Sequence, residues 1–84
     1  SSLNTLYKIV DNKAEVIEFT VTRDFAGIDV ALKDLRTKNN LIIAGIIRDN
    51  NVIYPDGMSR LLENDRVIIV TTNQATGELN DILA

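Results

Sequence analysis

The sequence predicts a small α+β domain built on a four-stranded mixed or antiparallel sheet, in the order β-α-β-β-β-α. Three observations carry that reading. Residues 15–22 alternate apolar and polar, residues 41–47 form an unbroken apolar run followed by Asp49-Asn50-Asn51, and residues 66–71 form a third β-branched run. Helical spacings lie between and after these runs.

The opening residues place Leu3, Leu6, Ile9 and Val10 at helical spacing, with Asn12 as a stop signal, so residues 1–13 read as a short linker helix or the tail of a preceding domain. Residues 14–84 read as the domain proper. The first strand carries Ile17, Phe19 and Val21 on one face and Val16, Glu18 and Thr20 on the other. After the connection around Gly27, Ile28, Leu32 and Leu35 recur at i, i+4 and i+7, which predicts a short amphipathic helix. The polar residues 36–40 end it. The run over residues 41–47 predicts a strand buried on both faces, in which Gly45 permits close approach of a neighbour.

Asp49, Asn50 and Asn51 tolerate left-handed backbone, so Val52, Ile53 and Tyr54 are expected to return as a hairpin strand. Pro55 stops that strand because it has no N–H to donate. Pro55-Asp56-Gly57 forms a turn, and Asn64-Asp65 leads into the strand at 66–71. Leu79, Ile82 and Leu83, after candidate caps at Thr72 or Asn73, predict a C-terminal helix over one sheet face.

Composition narrows the chemistry. The chain has 84 residues, 45% of them apolar but only 5% aromatic, so Ile, Val and Leu must fill the core. At this length folding removes only about 60% of the unfolded chain's surface, which makes a core marginal and favours self-association or attachment to a larger protein. Without Cys or His there are no disulfides, no usual zinc ligands and no thiol or imidazole catalysis. Tyr54 and Ser59 have no histidine base. Asp56 and Asp65 lie on separate turns without calcium-loop spacing, and Asp65 reads as a turn residue whose carboxylate accepts backbone N–H groups. No catalytic or metal residue is assigned, and a non-enzymatic role is expected. A net charge of −3 with scattered basic residues argues against nucleic acid, and no apolar run is long enough to enter a bilayer. A cytoplasmic location is expected.

The sequence of signals then resembles a known family. Glu15-Val-Ile-Glu-Phe-Thr-Val, the Gly27 connection, Leu41-Ile-Ile-Ala-Gly-Ile-Ile-Arg48, Val52-Ile-Tyr-Pro55, Gly57, Leu61 and Asp65-Arg-Val-Ile-Ile resemble the TrkA-C, or RCK_C, domain of regulator-of-K+-conductance proteins. Two positions depart from the family pattern. Met58 replaces an acidic residue, and Asn64 replaces a glycine in a turn that Asn also tolerates.

The resemblance implies a homodimeric regulatory module of a Trk-type potassium-uptake system, acting on a membrane potassium transporter subunit from the inner face of the plasma membrane. The same module on an anion or amino-acid antiporter, or on a cation-efflux accessory protein, is the alternative. A preceding Rossmann-type domain would bind NAD(H) or ATP; this chain has no G-x-G-x-x-G with which to do so. Some family members bind cyclic di-AMP between protomers. By that resemblance Ile46, Ile47 and Arg48 match the strand end, and Asn50 or Asn51 supplies an amide. Arg48 is otherwise expected to be solvated or paired with Asp49.

Overall fold

The computed structural model describes residues 2–73 and 76–84. Five strands form one antiparallel sheet: β1 (Ser2–Ile9), β2 (Ala14–Thr20), β3 (Leu41–Arg48), β4 (Asn51–Ile53) and β5 (Arg66–Thr71). Their spatial order is β1-β2-β5-β3-β4. β5, late in the chain, therefore sits at the centre, between β2 and β3.

The expected α+β fold, a four-stranded sheet with a short helix after its first strand and a C-terminal helix, is not what forms. Within the first segment, Ser2–Ile9 joins the sheet as β1 and is not helical. The cause is a β-bulge: Leu3 opposes Phe19 and Leu6 opposes Ile17, with the register shifting around Asn4. An inserted residue puts i and i+3 on one strand face, which imitates helical spacing. Asn4 pins the bulge, its Nδ2 donating to Glu18 Oε2 at 2.9 Å and to Thr20 Oγ1 at 2.8 Å.

The segment after β2 shortens to a single 3-10 turn, Leu32–Asp34. Asp29 stands at φ 58, which a continuing helix cannot accommodate. Its backbone bonds also run elsewhere. The N–H groups of Asp29, Leu32 and Lys33 donate to the carbonyls of Leu61, Ser59 and Gly57 at 2.8, 2.9 and 2.9 Å. The C-terminal helix is likewise one 3-10 turn, Leu79–Ile82, capped by Glu78 and Asp81 and not by Thr72 or Asn73. Lys38 N–H bonds Ile82 O at 2.8 Å and Ala84 N–H bonds Arg36 O at 3.1 Å, so pairing with the 36–38 segment ends the turn before a helix can propagate.

One sheet face carries the core. Leu6, Ile17, Ile69 and Ile43 form one row across the strands, and Leu3, Phe19, Val67, Ile46 and Ile53 form the next. The irregular segments close over them with Val21, Phe25, Leu61, Leu79 and Ile82. The opposite face bears the row Tyr7, Val16, Val70 and Ile42 and the row Thr20, Arg66, Ile47 and Val52, with no element packed on it among the described residues. The expectation that the apolar run over residues 41–47 is buried on both faces is corrected there: Ile42 is 62% exposed.

Gly27 serves packing and not a left-handed turn. A Cβ at that position would stand 2.6 Å from Leu35 Cδ1 and 2.7 Å from Phe25 Cζ. Gly27→Ala is expected to destabilise the fold by about 1–3 kcal/mol through overpacking, read as a lower urea midpoint at unchanged m-value. An unshifted midpoint would show that Phe25 and Leu35 repack without cost.

Candidate regulatory site

β3 ends in Arg48 and turns through Asp49 and Asn50, both left-handed at φ 50 and 65, into β4. That is the backbone a two-residue type I′ hairpin requires, and Asp and Asn are among the few residues that adopt it readily. Below the hairpin, residues 62–65 form the entry turn to β5. Asn64 takes φ 73, filling the left-handed position that the family gives to glycine.

These two turns are joined by one ion pair. Arg48 Nε donates to Asp65 Oδ1 at 2.8 Å, and its Nη2 donates to Asp65 Oδ2 at 2.7 Å and to Arg60 O at 2.9 Å. Asp65 Oδ2 also accepts the Leu62 N–H at 2.8 Å. The Asp65 side chain is 2% exposed and that of Arg48 33%. The turn reading of Asp65 is therefore what the structure shows, and the partner of Arg48 is Asp65 and not Asp49. Hydrogen bonding to Asp65 raises the Arg48 guanidinium above its ordinary value, against the opposing effect of burial. A raised basic group contributes stability that is fully present below its ordinary pKa and is lost only as pH rises through the raised value. The Arg48 contribution is therefore constant through the neutral range.

The candidate ligand residues do not converge on one pocket. Ile46 is fully buried in the core, Ile47 lies on the opposite face beside Val52, Arg48 is committed to Asp65, and Asn50 and Asn51 are exposed at the hairpin tip. A shallow cavity of about 260 Å³ lies against Arg48, Asp49, Glu63 and Asn64. Asp56 is spent on its own turn, accepting the Met58 N–H at 2.8 Å. Among the described residues no group of three His, Cys, Asp or Glu side chains could hold a metal, and no helix is long and apolar enough to cross a membrane.

The feature that the sequence reading missed is the edge of β3. β4 pairs only with Ile46, Ile47 and Arg48, so residues 41–44 of β3 have β5 on one side and no strand on the other among the described residues. A cavity of about 330 Å³ runs beside them, between Leu41, Ile42 and Ile43 and the Leu32, Pro55 and Gly57 segments. The signal was present in Pro55, which limits β4 to three residues against the eight of β3.

Removing Arg48 leaves the Asp65 carboxylate buried without its counter-charge. Breaking a buried pair from one side costs about 3–5 kcal/mol, and the partial exposure of Arg48 places Arg48→Ala near about 3 kcal/mol. Arg48→Lys is expected to recover part of this, since an ammonium keeps the charge but not the two parallel bonds. Urea unfolding measures both; a loss below about 1 kcal/mol for Arg48→Ala would show that the pair does not hold the turns.

A family model described as the TrkA-C domain matches residues 16–84. β1 precedes the matched segment. The Trk system potassium uptake protein TrkA homolog 2 of Methanosarcina mazei is 24% identical over 70 residues, covering 83% of this chain and 16% of that protein. The chain thus spans a small part of the curated relative. A solved structure described as an RCK domain with cda matches with a TM-score of 0.67 at 25% identity, covering 82% of this chain and 97% of that one. With most of its length inside the matched segment, the chain belongs to the TrkA-C domain family.

Proposed function

We propose that this domain is a dimerising regulatory module of a potassium-uptake system, which relays the state of the contact between two copies to a membrane transporter subunit. Family membership supports the regulatory part. The observation that carries the dimer is the uncovered sheet surface: Tyr7, Ile42 and Val52 stand 64%, 62% and 59% exposed on the face where Val16, Ile47, Ile68 and Val70 are also apolar. Monomers rarely leave a contiguous apolar patch of this kind in water. A small domain gains most from covering it.

Within the same proposal, cyclic di-AMP is a ligand of the paired state, in keeping with the family resemblance. Ile47 on the open face and Asn50 and Asn51 at the hairpin tip are the groups available to meet it, with Ile46 and Arg48 holding the strand end behind them. NAD(H) or ATP belongs to a Rossmann-type domain elsewhere in the parent protein. A ligand that binds one arrangement of the two copies better than another shifts their equilibrium by its differential affinity, typically about 1–3 kcal/mol.

Ile42→Asp separates association from folding. At 62% exposure the substitution is expected to change monomer stability by about 1 kcal/mol or less. A charge at the seam should weaken self-association at least about tenfold. Light scattering across a dilution series reads the change. NMR titration of the same samples with cyclic di-AMP should shift residues 46–51 in the wild type and not in the monomeric variant. A wild-type chain that stays monomeric at all concentrations overturns the dimer, and a dimer without shifts assigns ligand binding to another part of the parent protein.

A further inference from the structure

β1 is held differently from the other strands. It pairs with β2 alone, and it precedes Val16, where the TrkA-C segment begins. Its apolar side chains remain partly in water: Leu3, Leu6, Tyr7 and Ile9 are 47%, 38%, 64% and 41% exposed, while the neighbouring Ile17 and Phe19 of β2 are fully buried. Buried apolar area therefore holds β1 less firmly than it holds β2. Backbone pairing is the main hold, and the bulge between Leu3 and Thr5 interrupts that ladder.

The connection to β2 works against the pairing. Val10, Asp11 and Asn12 stand at φ 52, 55 and 67, three successive left-handed residues, with Lys13 N–H donating to Val10 O at 3.0 Å to close the loop. The β3–β4 hairpin fills its two left-handed positions with Asp49 and Asn50, types that tolerate the conformation. Val10 is β-branched, for which the left-handed region is an outlier, and at 68% exposure its side chain gains little burial in return. When β1 leaves β2, the loop is free to return to ordinary dihedrals and this strain is relieved.

The far end is fastened separately. Asn4 Nδ2 donates to Glu18 Oε2 and to Thr20 Oγ1, and Thr20 Oγ1 lies 3.2 Å from Asn4 Oδ1. A strand clamped near its outer end and strained at its loop does not peel from the tip; it comes away as a unit when the clamp opens. We infer that β1 is a hinged strap, which docks on β2 or swings off about residues 10–12 while β2 to β5 stay folded. Docked, it covers the outer edge of β2 with a bulged strand bearing Lys8, and bulges and edge lysines discourage further strands from adding. Released, it bares the unbulged edge of β2 and withdraws Tyr7 from the open face. The strap thus decides which edge the sheet presents, whether or not two copies associate.

Amide exchange of the full chain in rising sub-denaturing urea tests the strap. Amides along β2 alternate in direction, some donating to β1 and the others to β5. The amides bonded between β1 and β2 should share one protection, at least about tenfold below that of the amides between β2 and β5, and nearly independent of urea. Val10→Asn accepts the left-handed region and leaves the Asn4 clamp intact, so it should raise that shared protection at least about fivefold. Protection along β1 equal to that of β5, with the same urea dependence, makes β1 an integral strand and overturns the strap. A gradient falling from Ile9 to Ser2 is end fraying and also overturns it. Unchanged protection in Val10→Asn shows that the loop stores no strain, which removes the hinge and the inference with it.

Discussion

Asp65 is the point on which the arrangement of strands depends. Its carbonyl accepts the Val21 N–H at 2.8 Å, continuing the pairing beyond β2, while its carboxylate holds the Leu62 N–H and the Arg48 guanidinium. One residue thus fixes where β5 enters the centre of the sheet, where β2 leaves and where β3 ends. A carboxylate at 2% exposure is stable there because every oxygen has a charged or backbone partner. The Arg60 carbonyl shares Nη2 of Arg48, and Arg60 in turn donates to Asp29 O at 2.7 Å. The irregular segment over the core is thereby tied to the same network.

β2 to β5 were legible because their apolar residues alternate or run together at strand length, whereas β1 was not. Phe19 and Ile17 announce the core face of β2, and the Asp49-Asn50 turn announces the β3–β4 hairpin. The helices were misread for a physical reason that recurs. The bulge at Asn4 shifts the strand period by one, so Leu3 and Leu6 share a face at a spacing of three and β1 read as a helix; the bulge at Ala44 does the same for Ile43 and Ile46, inside a run long and apolar enough to read as a strand regardless. Between Ile28 and Leu35 the periodicity was real but overruled by Asp29 in the left-handed region and by bonds to the 57–61 segment, which no local pattern encodes. At the candidate site, the turn role of Asp65 was legible from its type and place. Its pairing with Arg48, distant in sequence, was not. Nor was the exposure of Ile42, since an unbroken apolar run reads the same whether a second layer covers it or not.

This geometry suits a module that communicates through association. One face of the sheet is closed by short turns and by hydrogen bonds between segments distant in sequence. The other face, apolar along Tyr7, Val16, Val70 and Ile42 but bearing Glu18, Thr20 and Arg66 beside them, and the free half of β3 are open, and they adjoin the hairpin whose base the Arg48–Asp65 pair holds. The hairpin tip and the free half of β3 belong to one strand, interrupted by the bulge between Ile43 and Gly45.

The most direct test of this account is amide hydrogen exchange of the wild type beside Arg48→Ala, read residue by residue across the sheet. If the Arg48–Asp65 pair fixes where β5 enters and where β2 and β3 end, the amides of Val21, Leu62 and residues 46–48 lose protection first, while those in the middle of β2 and β5 keep theirs. An even change over the whole sheet, or none at those amides, would contradict it.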